Sequence, residues 1–465
     1  MDKLLKHLLV CATLFVLAGC ACLGSYNVQT QPSRHMLAQG DFEKAIHSFP
    51  VASAKGHNEV LVRLERGTIL QAMGKYAQSE EEFQLATGRI KEFEDRAIIS
   101  ASKTTSKMGT LIINEQAKPY EGEDFEKVLI HALNAVNYVM QGDIEGARVE
   151  IRNAYSRQNE LYNRHSKALE RAEKDADSRD WQRMFEEADY TRYSALRTKA
   201  ESVYSVYQNA FAYYISALVY ELNREPDEAY IDLKKAIRAA PGSLSIQRDL
   251  LRLSRDLGFR DDFEKWENSF QKHEESYGEG IDIFIILGIG MAPYKIPITF
   301  PIPTGRGGIV FTALPVYEFT PSTTRSGIVV YNSKSIETST VFDTDGVASR
   351  NLLDKFPILF AKQVLRTSLK AVATNRLAKE YGVLGALAGS VAAAVTEQAD
   401  LRTWSSLPKQ FQVGRAFVPE GTGKIILKTV PTGFSRSVDI PEGAKHVIVL
   451  GKVTNAGLSL QTRVF

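Results

Sequence analysis

Gln39-Gly40-Asp41-Phe42-Glu43-Lys44-Ala45-Ile46-His47-Ser48-Phe49 returns as Met73-Gly74-Lys75-Tyr76-Ala77-Gln78-Ser79-Glu80-Glu81-Glu82-Phe83, with every matching residue displaced by 34. Gly40 maps to Gly74, Phe42 to Tyr76, Ala45 to Ser79 and Phe49 to Phe83. The pattern has a physical reading. A glycine reverses the chain at the end of one helix, and an aromatic anchors the turn. A small residue then lets the next helix approach closely, and a second aromatic fills the space between layers.

A helix pair repeated every 34 residues is the tetratricopeptide (TPR) architecture. The pattern skips one period and returns at Gly142-Asp143-Ile144-Glu145-Gly146-Ala147, with Ser79 to Ala147 spanning 68, twice 34. A degenerate unit is expected between Lys103 and Pro119. Tyr213, Ala217, Tyr220, Ala229, Leu233, Ala236 and Pro241 occupy repeat positions again. Ala147 to Ala229 is 82, two periods plus 14, so an insertion lies between them. Tyr155 to Tyr204 supplies it. Its opposite charges three and four residues apart predict a helical hairpin turning near Asp177-Ser178-Arg179-Asp180, with Leu161, Ala168, Phe185 and Leu196 among its contacts. Tyr213, Tyr214, Tyr220 and Tyr230 read as inter-helix core. The expected working surface is a concave groove that recruits a peptide or a partner helix.

Past Tyr277-Gly278-Glu279-Gly280 the period changes. Ile281 to Leu287, Ile309 to Leu314, Gly327 to Tyr331, Lys424 to Val430 and His446 to Val453 are short β-rich runs bounded by Gly and Pro. Asp345 to Ala399 between them reads as helix. Its uncharged stretch Tyr381 to Val395, within a Gly/Ala-rich helix expected over 381–397 and with Gly385, Gly389 and Ala393 on one face, is too short to span a bilayer, which takes about 20 apolar residues. It reads as a helix packed closely on a neighbour. The expected fold class is thus α+β multidomain: TPR-like α-helical repeats with a long helical insertion, then an α+β domain with a mostly antiparallel sheet. The expected boundaries are a signal peptide 1–19, a tether 20–34, a repeat domain 35–275 with its insertion at about 155–204, and an α+β domain 276–465. The change of period predicts two separately built cores.

The N-terminus predicts location. Lys3 and Lys6 precede an apolar run to Leu17-Ala18-Gly19-Cys20, a secretory signal ending in a lipobox. Cys20 is the expected lipidation site. More than one acyl chain on that residue anchors a protein stably where a single chain does not. The N-terminus resembles those of Gram-negative lipoproteins, and with Ala21 rather than Asp in the sorting position that resemblance implies the outer membrane, facing the periplasm. Lys plus Arg number 57 against 55 Asp plus Glu, a net charge of +2 that argues against nucleic acid as a main partner. Only Cys22 is left after Cys11 and Cys20 of three cysteines, so no disulfide framework forms.

No catalytic constellation emerges. Gly288-Ile289-Gly290 follows a strand, yet Pro293 stands where a dinucleotide fingerprint needs its third glycine. Ser100-Ala101-Ser102-Lys103 lacks the partner motifs of penicillin-recognising enzymes. The eight His show no metal-ligand spacing. The expectation is therefore a non-enzyme with no cofactor and no metal. Its partners would be proteins of the cell envelope, and a lipid anchor on Cys20 would hold it to the membrane. Alternative roles are regulator of a cell-wall synthase or subunit of a secretion or surface-appendage complex, with envelope hydrolase last.

Three further stretches carry a resemblance: Ala117-Lys118-Pro119-Tyr120-Glu121-Gly122-Glu123-Asp124-Phe125-Glu126; Leu133-Asn134-Ala135-Val136-Asn137-Tyr138 running into Gly142 to Glu150; and Ala399-Asp400-Leu401-Arg402-Thr403-Trp404-Ser405-Ser406-Leu407-Pro408. Together they resemble an uncharacterised family of bacterial TPR-containing outer-membrane lipoproteins. The resemblance implies a periplasm-facing protein and supplies no catalytic residues. Read alone, Asp400, Arg402 and Trp404 form a candidate lock between the preceding helix and the returning strands, or a partner-binding spot. Arg402 is positioned to pair with Asp400 or to stack on Trp404.

Overall fold

The computed structural model describes residues 25–49, 56–103, 118–174, 190–203, 205–270, 280–303, 309–356 and 399–465, with isolated positions 359, 379 and 382. Cys20, the whole 104–117 interval of the expected degenerate repeat, the hairpin turn at 177–180 and nearly all of the small-residue stretch 381–397 lie outside the described residues.

The helices are α1 (Tyr26–Gln29), α2 (Gln31–Ala38), α3 (Phe42–Ser48), α4 (Glu59–Ala72), α5 (Tyr76–Lys103), α6 (Asp124–Gln141), α7 (Ile144–Lys174), α8 (Tyr190–Glu201), α9 (Ala210–Leu222), α10 (Pro226–Ala239), α11 (Leu244–Asp256) and α12 (Arg260–Ser269). A further helix, α13, covers 344–356. Residues 25–34, expected as tether, are instead largely helical, and Tyr26 is buried in the core.

Five helix pairs share one turn. In each, an N–H beyond a residue of positive φ reaches back to a carbonyl five residues earlier: Asp41 to Met36, Lys75 to Leu70, Asp143 to Tyr138, Glu225 to Tyr220 and Phe259 to Ser254, all at 2.8–2.9 Å. This is the Schellman closure. Its left-handed residue is Gly40, Gly74, Gly142 and Gly258 in four pairs and Arg224, at φ 61°, in the other. Arg224 to Gly258 again spans 34, so α11 and α12 are a repeat that the sequence reading did not single out. Ala45, Ser79, Ala147 and Ala229, the small repeat residues, are all fully buried. α5 and α6 pack directly on each other.

The second half is built of eleven strands among the described residues. They are β1 (Ile281–Ile289), β2 (Tyr294–Pro303), β3 (Ile309–Glu318), β4 (Ser326–Tyr331), β5 (Lys334–Glu337), β6 (Ser339–Asp343), β7 (Gln410–Val418), β8 (Lys424–Val430), β9 (Ser435–Asp439), β10 (His446–Val453) and β11 (Leu458–Val464). One sheet has the order β11-β10-β1-β7-β6, a second β5-β4-β8-β9, and β2 with β3 forms a separate ribbon. Every strand pair is antiparallel except β1 with β10. β1 is buried along its whole length because both its faces are covered, hence its near-continuous apolar sequence. Ile281, Ile283, Ile285 and Leu287 face the second sheet, while Phe284 and Ile286 face the helices.

The molecule is therefore layered: helices, first sheet, second sheet. Two separately built cores are not what forms. The larger core runs without a break from Leu61, Phe83 and Leu129 through Phe211 to Phe284, Phe411 and Ile448. The repeat turns themselves dock on the edge strand β11 and the turn before it. A side chain at Gly40 would meet Thr454 Oγ1 at 3.1 Å, one at Gly74 would meet Gln461 Cδ at 3.1 Å, and one at Gly142 would collide with the Arg463 guanidinium. Covering β11 in this way protects a strand edge that would otherwise be open to pairing.

Gly67, in the middle of α4, faces the ring of fully buried Phe83, which a Cβ would approach to 2.5 Å. Gly67→Ala gains helix propensity of at most about 1 kcal/mol, but overpacking costs about 1–3 kcal/mol. Urea unfolding is expected to show net destabilisation; a variant as stable as the wild type would mean that Phe83 has room to move.

Candidate functional site

The stretch 399–408 crosses the inner face of the repeat array. Its largest buried side chain, Trp404, donates its indole N–H to Thr68 Oγ1 of α4 at 2.9 Å and meets Phe83 of α5 edge-on at 5.8 Å. The Trp404 backbone N–H donates to Glu126 Oε1 of α6 at 3.1 Å. Ser405 gives both its N–H and its hydroxyl to Glu65 Oε1, each at 2.8 Å, and the Ser406 N–H reaches Glu65 Oε2 at 2.7 Å. Two buried carboxylates on neighbouring inner helices thus hold three consecutive main-chain amides. Such charge-assisted bonds are stronger than neutral ones, and here they fix the backbone, with the Ser405 hydroxyl sharing Glu65 Oε1.

Arg402 secures the near end of the segment. Its Nε and Nη2 bind Asp400 at 2.9 and 2.7 Å, and Nη1 donates to the carbonyls of Lys118 at 2.8 Å and His57 at 3.3 Å. It lies over Tyr120, 5.4 Å from the ring centroid, rather than over Trp404. Arg402, braced by Asp400, and Trp404 therefore engage the helical half, whereas the sequence placed all three between a helix and the returning strands. At the far end, the Ala292 N–H donates to Leu407 O at 2.7 Å and the Thr344 hydroxyl to Pro408 O at 2.6 Å, which passes the chain into β7.

The carboxylates differ electrostatically. Burial pushes the Glu126 carboxyl up to about 7, with the neighbouring Glu123 charge adding to it. Tyr120 OH and the Glu123 N–H both donate to its Oε2, at 2.6 and 2.8 Å. Burial also raises Glu65, against the pull of the Ser405 and Ser406 donors. For Glu123, burial works upward too, but Lys295 at 2.6 Å and Lys355 at 2.9 Å outweigh it and hold the group well below the usual carboxylate range. Lys295 belongs to β2 and Lys355 to α13, so this cluster also joins the two halves.

A second buried network lies further along the array. Arg415 of β7 bridges Glu221 of α9 at 2.7 Å, Asp249 of α11 at 3.4 Å and Asp282 of β1 at 2.6 Å, while Arg252 binds Glu221 at 2.8 Å. Beside it Phe211 packs on Phe411, ring centroids 4.5 Å apart, and Ser245 Oγ donates to Val413 O at 2.7 Å. Between these contacts and the clamp, a cavity of about 50 Å³ lies among Leu37, Ile69, Phe211, Ile286, Met291 and Lys452. It has room for about three or four waters and no more. The open concave groove expected from the repeats is thus already filled, by the chain's own segment and first sheet.

The tyrosines read as core are core. Tyr213, Tyr214 and Tyr230 are buried, with the Tyr214 and Tyr230 hydroxyls donating to Asp249 and Asp262 at 2.7 and 2.8 Å, and Tyr220 is partly buried against them. Leu161 and Leu196 of the insertion are buried too. Glu65, Thr68, Lys295, Lys355 and Arg415 escaped the sequence reading. Glu65 did leave a signal, an acidic residue on the apolar stripe of α4 with Leu61 and Thr68 one turn to either side. Among the described residues, no group of His, Cys, Asp and Glu is arranged to hold a metal ion, and no helix is long and apolar enough to cross a membrane.

No protein-family model and no curated protein matches the chain. Among solved structures, the crystal structure of MamA aligns with 50% of this chain and 89% of its own at 17% identity and a TM-score of 0.28, a likeness too slight to bear on fold or function.

Glu65→Gln keeps the shape but turns an acceptor into a donor facing the N–H groups of residues 405 and 406. An unmet buried amide costs about 1–3 kcal/mol, more where a charge was the partner. The urea midpoint is expected to fall accordingly; an unchanged midpoint would remove the clamp from the stability of the fold. Glu126 gives a pH signature. Its folded value lies above the ordinary 4.5, so its contribution is full below 4.5 and is lost as pH rises through about 7. Glu126→Gln does not titrate. The stability gap between wild type and Glu126→Gln should therefore narrow from pH 5 to pH 8, and a gap constant with pH would refute the assignment.

Proposed function

We propose that the protein is a non-catalytic scaffold of the bacterial outer membrane. It is anchored by lipid on Cys20, faces the periplasm and holds protein partners of an envelope assembly, as in the TPR-containing lipoprotein family it resembles. The observation that carries the reading is the self-capture of residues 399–408. The repeat array grips an extended segment by its main chain, and in doing so welds helices and sheets into one body with a long outer surface. Helix-pair arrays characteristically present extended surfaces to partners. With the inner face occupied, the outward helices α5, α7, α10 and α12 are the surface left for them. The lipobox Leu17 to Cys20 and the sorting residue Ala21 support the location.

Two measurements test this. Cys20→Ala should move the protein out of the outer-membrane fraction, and unchanged sedimentation with that membrane would sink the anchoring. Affinity isolation of the full chain from solubilised envelope should recover a stoichiometric protein. Recovery of none, together with turnover of peptidoglycan by the purified protein, would replace the scaffold with an enzyme.

A further inference from the structure

We infer that the outer groove between α7 and α10 binds an acidic amphipathic helix of a protein partner. The inference rests on the scaffold reading and deepens it by naming the surface and the partner's chemistry. Among the described residues nine large hydrophobic side chains are exposed, and four of them, Val149, Tyr155, Tyr162 and Ile231, belong to these two helices. Singly exposed apolar residues are ordinary; a cluster on adjacent elements is not.

The two helices run side by side in the same direction. Arg148 Nη2 binds Glu225 Oε1 at 2.9 Å where they begin, and two to three turns on Lys235 Nζ lies over the Tyr155 ring, 4.5 Å from its centroid. Helical spacing puts Arg152, Tyr155 and Tyr162 on one stripe of α7, and Ile231, Lys235 and Arg238 on one stripe of α10. The stripes border a shallow channel between parallel helices, the setting in which a third helix lays its apolar side chains. Arg152 to Tyr162 is about 15 Å of helix, roughly three turns.

The charges select the occupant. Arg152 and Arg238 are exposed, and neither has a carboxylate within ion-pair distance among the described residues. Lys235 shares only Asp232, which is itself nearly buried and also accepts from Ser216. The aromatic part of the channel is therefore cationic. Acidic side chains, Glu145, Glu225 and Glu228, gather at the opposite end, around Arg148. An occupant with apolar residues at helical spacing and carboxylates flanking them over Arg152 and Arg238 matches both features, whereas a basic helix would be repelled there.

The test uses detergent-solubilised full-length protein and two labelled amphipathic peptides about five turns long. Both carry leucines on one face; one has glutamates on its flanks and the other lysines. The glutamate peptide should bind in fluorescence anisotropy, more weakly as salt rises from about 0.05 to 0.5 M. Tyr155→Glu with Ile231→Glu should weaken it by about tenfold or more, while Leu85→Glu, at an exposed apolar position of α5, should leave it unchanged. Circular dichroism checks that the variants are folded. Equal binding of the lysine peptide, indifference to the groove substitutions, or no binding would each overturn the proposal. So would concentration-dependent self-association abolished by the same substitutions, which would make a second copy the occupant. Should an envelope protein be recovered equally well by the Tyr155→Glu, Ile231→Glu variant, the scaffold reading stands and the groove assignment alone falls.

Discussion

The Glu65 carboxylate is fully buried on the inner face of a helical array, and its hydrogen-bond donors among the described residues lie outside that array. A carboxylate in that position is tolerable only if hydrogen bonds replace its lost water. The donors come from Ser405 and Ser406, some 340 residues away along the chain. The helix layer is therefore incomplete without the segment that follows α13. The segment, in turn, has no helix or ladder bonds of its own at Trp404 to Ser406 and depends on Glu65 and Glu126 as acceptors. Each half leaves polar groups that only the other satisfies, which selects one register of the sheet layer against the helices.

The remaining contacts between the halves follow from that register. Once residues 404–406 are fixed, β7 leaves the clamp in a direction that carries Arg415 to Glu221, Asp249 and Asp282, and β11 falls along the row of repeat turns. Buried ion pairs of this kind are weak evidence for stability, because desolvation offsets much of their attraction. Their effect is on specificity: a shifted sheet would strand Arg415 without its partners. The apolar contribution comes from the shared core, where Phe211, Phe284 and Phe411 pack across the boundary. A helix-pair array whose inner face is closed in this way leaves only its outer helices uncovered.

Much of this fold was legible in the sequence because its signals are local. The glycines at 40, 74 and 142 mark left-handed turns, the small residues at 45, 79, 147 and 229 mark close helix contacts, and β1 announces itself as an apolar run. The α11–α12 pair was missed because Arg224 takes the glycine position of the preceding turn and Phe263 the small position of its own. β2 was hidden by Pro297, Pro301 and Pro303, which disfavour a sheet interior and are tolerated in a two-stranded ribbon. β11 reads as polar because it is an edge strand. At the site, Asp400, Arg402 and Trp404 stood out, and so did Tyr120 to Glu126, but as separate stretches. That they meet is a consequence of tertiary packing, which no spacing along the chain encodes, and the same is true of the filled groove.

Segment 404–406 is held as part of the helix layer and not merely laid upon it. Native-state hydrogen exchange of the Trp404, Ser405 and Ser406 amides tests it directly. These three should exchange only through the opening that also releases the central amides of α4 and α6, with the same free energy and the same denaturant dependence. Exchange of residues 404–406 by a separate, cheaper opening, with α4 and α6 still fully protected, would make the helical array a body that stands without its clamp.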